Sequence, residues 1–156
     1  LLLLAGYHDP NFINPTDGCQ YYREDLLSQG ELASQSRGTR VLIAHGPPRG
    51  TRTIDIDYAF DAGNVGDPAI NQFMSDNQVR YGIFGHILES GGRAINPLTG
   101  RKAKHNQSTD GLWLNAGCAT SLETMLHSGI AHVGMAVVVE FNRDKARYWV
   151  NRRYSR

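Results

Sequence analysis

Three features of the sequence predict an α/β fold. Short apolar runs alternate with segments of helical spacing, and each run stops at Gly, Pro or Asn turn chemistry. The chain then closes on two strand-like segments joined by a tight polar turn. Its 156 residues are one domain's worth, and 40% hydrophobic with 20% charged residues is a globular balance. A net charge of +1 supplies no global field toward nucleic acid or membrane. The longest apolar run, Leu1 to Ala5, is far short of the ~20 residues of a membrane span. Seventeen Gly and six Pro imply many turns, and two cysteines, Cys19 and Cys118, are too few for a disulfide framework and match no zinc-knuckle spacing.

Taken in order, Leu1–Ala5 reads as a buried strand stopped by Gly6, and 7–20 as loop. Tyr21 to about Gln35 has helical character that Gly30 weakens. Val41–Ala44 is apolar throughout, as in a strand covered on both faces, and ends at His45-Gly46-Pro47-Pro48, where the prolines cannot donate to a ladder. Residues 49–66 read as loop. Asp67-Pro68 then opens a helix with Asp as cap and Pro in the first turn, followed by Ile70, Phe73 and Met74 on one face. Tyr81–Phe84 is the next strand, ending at Gly85-His86, and 88–110 is a long polar loop. Leu112–Leu114 is a short strand ending at Asn115-Ala116-Gly117. Val133–Phe141 and Ala146–Val150 form the closing hairpin. The opening run has no turn or cap before it and no initiating Met, so the sequence is expected to be a fragment.

Polar residues recur just past three strand ends: His45, His86 and Asn115. Sheets covered by helices collect ligands at the carboxyl ends of their strands, and two imidazoles delivered there can share a divalent metal. The quieter reading, a hydrogen-bonded histidine at a strand end, wins for one such residue and loses narrowly for a matched pair.

The same segments carry a family resemblance. Val41-Leu42-Ile43-Ala44-His45-Gly46-Pro47-Pro48 resembles the "HGPP" segment of calcineurin-like metallophosphoesterases. Tyr81-Gly82-Ile83-Phe84-Gly85-His86-Ile87-Leu88-Glu89 is similar to that family's "FGHIHE" segment, and Leu114-Asn115-Ala116-Gly117-Cys118 to its "xNxGS" segment. Gly134–Glu140 with Lys145–Tyr148 resembles its terminal hairpin, and the four occur in the family's order. The resemblance implies a mixed β-sheet sandwich flanked by helices. Residues 1–156 would be the C-terminal part of one such domain. It also implies a metal-dependent phosphoester hydrolase, either a phosphatase or a phosphodiesterase, with two divalent ions of Mn, Fe or Zn. His45 and His86 would ligate the second metal, and Gly85, Asn115 and Gly117 would form the loops beside the site.

The departures are specific. Leu88 stands where the family has a second histidine, which removes a ligand of the first metal. The family's Asp-x-His, Gly-Asp and Gly-Asn-His motifs have no match in residues 1–40, and Gly63-Asn64-Val65 lies after His45, in the wrong order. The pair of ions is therefore expected to be incomplete, no catalytic residue is assigned, and the chain alone is expected to be weakly active or inactive. The alternative is a degenerate, non-catalytic phosphoesterase-like binding or structural module.

Remaining candidates carry less. His8, Asp9, Asp55, Asp57 and Glu89 are possible additional ligands, but Asp55 and Asp57 read better as a solvated loop edge and Glu89 as a loop cap or an arginine partner. His105, His127 and His132 read as solvent-exposed, and Cys118 as a small buried thiol. Residues 143–156 carry net +5 against −4 elsewhere. Arg143, Lys145, Arg147, Arg152, Arg153 and Arg156 could meet phosphates, but charges that deter edge pairing explain them better. The expected partner is a phosphoester small molecule or nucleotide, with neither nucleic acid nor membrane. Two cysteines without a framework and no targeting segment point to the cytoplasm.

Overall fold

A computed structural model describes residues 1–6 and 20–152. Its centre is a six-stranded mixed sheet built from β1 (Leu2–Leu4), β2 (Val41–Ala44), β5 (Tyr81–Phe84), β6 (Ala94–Asn96), β7 (Arg101–Lys102) and β8 (Leu112–Asn115). The order is β1-β2-β5-β8-β6-β7. The first four strands are parallel, whereas β6 runs antiparallel to both β8 and β7.

Side chains alternate across this sheet with period two. Leu42, Ala44, Phe84 and Trp113 face one side and pack with α1 (Arg23–Gln35) and α2 (Pro68–Asp76) through Leu26, Ala33, Ile70, Phe73 and Met74. Val41, Tyr81, Ile83, Leu112 and Leu114 face the other side. There they meet the hairpin of β11 (Met135–Asn142) and β12 (Lys145–Arg152) through Val137, Val139, Phe141, Ala146 and Tyr148. The molecule is thus layered helix, sheet, hairpin, and both faces of β2 are covered, as its unbroken apolar run requires. The helix starts follow local chemistry. The Asp67 side chain accepts from the Ala69 amide at 2.7 Å, and Tyr22 N donates to Asp25 Oδ2 at 2.7 Å, half of a capping box at α1. Gly30 sits inside α1 and does not end it.

Two stretches expected to be loop contain strands. Within 49–66, β3 (Tyr58–Ala59) and β4 (Gly63–Asn64) form a two-rung hairpin. Within 88–110, a single 3₁₀ turn at Leu88–Ser90 is followed by β6 and β7. All three residues of β6 are buried against β8. A strand of two or three residues offers too few positions for periodicity to register, and its partner supplies the order. Two short strands, β9 (Thr124–Met125) and β10 (Ala131–His132), pair between β8 and the hairpin. Among the described residues, no helix is long and apolar enough to cross a membrane.

Candidate functional site

The sheet brings the two histidines together. Neighbouring parallel strands β2 and β5 end in register, with Ile43 opposite Ile83, so the turns after them emerge side by side. Gly85 ties the turns together by donating its amide to the His45 carbonyl at 2.9 Å. His45 Nε2 and His86 Nδ1 then lie 3.1 Å apart, the rings tilted by 48°. His86 has φ 66°, the left-handed region that a non-glycine residue adopts at a cost. The Ile87 amide donates to the Gly85 carbonyl at 2.8 Å across this residue and holds the turn tight.

As it stands the contact is an imidazole–imidazole hydrogen bond, so at least one ring is neutral. Desolvation holds both rings below the ordinary histidine range, and His45 lowers His86 further. Neutral imidazole is the ligating form. Nitrogens each ~2.0–2.1 Å from one ion lie about 3.0 Å apart at a right angle and about 3.4 Å apart at the tetrahedral angle. The observed 3.1 Å lies within this span as a distance, while in the hydrogen bond the two nitrogens are directed at each other. Among the described residues, no group of three or more His, Cys, Asp or Glu side chains is gathered closely enough to enclose an ion.

The depressed histidine values carry a sign. Below the unfolded value of about 6.5, the unfolded chain takes up protons that the folded pair resists. This contribution to stability is complete above about 6.5 and is lost as pH falls through the lower folded values. The effect is modest, because both rings are partly solvated. In thermal melts from pH 7.5 to 5, the wild-type midpoint is expected to fall more steeply than that of His45→Gln. Parallel curves would show that the pair does not resist protonation.

The third neighbouring strand, β8, supplies the support. Asn115 is fully buried and donates to the Ile56 and Ile87 carbonyls, both at 2.9 Å, while its Oδ1 accepts from the Gly117 amide at 2.9 Å. It therefore braces the residue next to His86 from beneath. Gly117 has φ 71°, and a Cβ there would sit 2.2 Å from Met135 Sδ, so both backbone conformation and space require glycine. A cleft of about 490 Å³ runs over these strand ends, lined by His45, Gly85, His86, Leu88, Gly117 and Cys118 among others. Leu88 thus shares the cleft with both histidines.

Several sequence expectations are corrected. Asp55 and Asp57 are buried, not a solvated edge. Asp57 accepts from the Gly50 and Gly66 amides and the Asn64 amide group, at 2.8 to 3.0 Å. Burial pushes the Asp55 carboxyl up. The Arg52 side chain and the Thr51 and Arg52 amides outweigh this and leave it below the usual carboxylate range. Both acids organise the 50–66 segment, and their oxygens are committed to it. Cys118 is exposed rather than buried. His132 is buried at 4% exposure, and its Nε2 has no hydrogen-bond partner. Glu89 lies in the 3₁₀ turn and makes no ion pair among the described residues.

His127 is exposed beside Asp61, and His105 is exposed while accepting from the Val150 amide, as the sequence led one to expect. Arg147 pairs with Glu140 at 2.8 Å and lies over the Trp149 ring, and Arg152 donates to the Gly91 carbonyl. Two cations of the basic terminal segment are therefore engaged within the fold. His8, Asp9, Cys19, Arg153 and Arg156 lie outside the described residues. In comparisons with known proteins, no family model, no curated protein and no solved structure matches this chain.

Proposed function

We propose that the chain carries the C-terminal motifs of a calcineurin-like metallophosphoesterase domain, and that His45 and His86 hold a divalent ion for phosphoester hydrolysis. The observation that carries this reading is the 3.1 Å contact between His45 Nε2 and His86 Nδ1 at the carboxyl ends of adjacent parallel strands. The helix–sheet–hairpin layering is compatible with the family's sandwich. When bound, such an ion supplies Lewis acidity toward a phosphoryl oxygen and an activated water. The chain's own part is to hold two neutral imidazoles in fixed orientation, through the Gly85–His45 backbone bond and the Asn115 brace. The substrate is a phosphoester small molecule or nucleotide, and a cytoplasmic setting, in keeping with the free Cys118 thiol, belongs to the same proposal.

A second reading, a non-catalytic binding module, is favoured by Leu88, an apolar side chain in the cleft where a further ligand is needed. Equilibrium dialysis with Zn²⁺ or Mn²⁺ and hydrolysis of bis(4-nitrophenyl) phosphate test both. Wild type is expected to take up about one ion with little turnover, and His86→Ala to lose that uptake. Equal uptake by the two proteins would remove the metal assignment. Brisk metal-dependent turnover by wild type would exclude the non-catalytic reading.

A further inference from the structure

His86 borders two spaces. Besides the cleft shared with His45, it lines a separate cavity of about 390 Å³ together with Ile87. The cavity walls include the apolar side chains of Pro47, Ala59, Val65 and Ile87. Its volume is near the small end of the ~300–1,000 Å³ range of ligand pockets, enough for one ring-sized group but not for a long chain.

Arg49 brings the charge. Its Nε and Nη2 both donate to the single carbonyl of Asn64, at 3.2 and 2.7 Å. No carboxylate among the described residues forms an ion pair with it. Its main chain is clamped on both sides by one amide, with Asn71 Oδ1 accepting from Arg49 N at 2.7 Å and Asn71 Nδ2 donating to Arg49 O at 3.0 Å. A guanidinium on fixed backbone, with remaining N–H donors and no counter-ion among the described residues, is suited to phosphate oxygens. The acid lining this cavity, Asp67, is committed elsewhere. One oxygen accepts from Tyr21 Oη and the other from the Ala69 amide at the start of α2, where the helix dipole favours negative charge.

We infer that this cavity seats the organic group of the substrate, a compact uncharged ring, with the attached phosphoryl group reaching Arg49 at its mouth. The inference rests on the proposed phosphoester chemistry of the neighbouring histidine pair, and it narrows the substrate class to small aryl-type phosphoesters. Burying the ring against Val65, Ala59 and Ile87 supplies affinity, Arg49 selects the anion, and His86 joins the two spaces.

Calorimetric titration with phenylphosphonate and methylphosphonate, each with and without zinc, tests this on the intact chain. Phenylphosphonate is expected to bind at least about ten-fold more tightly, since apolar area alone separates the two ligands. That preference belongs to the cavity and holds in both conditions. A zinc-dependent strengthening of both ligands belongs to the metal reading, so the two ideas can fail separately. Val65→Trp, which fills the cavity, is expected to abolish the preference, and Arg49→Met to weaken both ligands. Equal affinity of wild type for the two phosphonates, or a ring preference that survives Val65→Trp in a variant with wild-type circular dichroism, would overturn the inference.

Discussion

Replacing Asn115 with leucine is expected to destabilise the fold by about 3 kcal/mol or more. Asn115 is fully buried, donates twice and accepts once. Leucine is of similar size, so the loss is chiefly polar. The Ile56 and Ile87 carbonyls and the Gly117 amide lose their side-chain partner together, and each buried group left unsatisfied costs ~1–3 kcal/mol. The consequence reaches the site, because Ile87 is adjacent to His86 and their turn is already in a left-handed conformation. Urea unfolding measures the first effect, and histidine side-chain NMR shifts in the folded fraction measure the second. Asn115→Asp, whose protonated carboxyl keeps the acceptor and supplies one O–H donor in place of two N–H donors, is expected to fall between wild type and leucine at pH values where the new carboxyl is protonated. A loss under 1 kcal/mol for Asn115→Leu would mean that the three loops hold one another without the brace.

Leu88→His is expected to raise zinc affinity by at least roughly ten-fold, equivalent to about 1.4 kcal/mol. Leu88 lies in the same cleft as His45 and His86, at the start of the 3₁₀ turn, and offers no donor atom. Two protein ligands fall short of the three that open zinc sites generally use, and a third imidazole would supply the difference. Competition against a chromophoric chelator measures the change. The double variant Leu88→His, His86→Ala is the control, and it should lose the gain if the new imidazole acts with the existing pair. An unchanged affinity in the single variant would show that position 88 does not address the ion assigned to the histidine pair.

The legible parts of the sequence are those whose signal is local. Val41–Ala44 ends where its apolar run meets His45-Gly46-Pro47 and Tyr81–Phe84 where its run meets Gly85, and Asp67-Pro68 marks the start of α2 because cap and first turn are neighbours in the chain. The positions of His45 and His86 follow from those same strand ends. Their contact does not: it depends on β2 and β5 being adjacent and in register. The matched strand-end settings of the two histidines and the order of the motifs predict nearness, and the sheet supplies the distance.

Other features had no local signal. Ala94–Asn96 is a strand only because β8 lies beside it. Asp55 and Asp57 read as a polar loop edge, yet the Gly50, Thr51, Arg52 and Gly66 amides fold around them and make burial favourable. Asn115 looked like a loop residue beside the site and proves to be a brace beneath it, because its partners are 28 and 59 positions away in sequence.

The sequence by itself determined the strand and helix segments of highest apolar contrast, the helix cap at Asp67, and the two imidazoles set at strand ends. Those depend on residues within a few positions of one another, where steric and hydrogen-bonding preferences act directly. Tertiary structure alone decided the 3.1 Å meeting of the histidines, the sharing of His86 between cleft and cavity, the absence of an ion pair at Arg49 among the described residues and the burial of the loop acids. Each of these depends on which distant segments are brought into contact, and that is set by packing of the whole sheet between its helices and its hairpin.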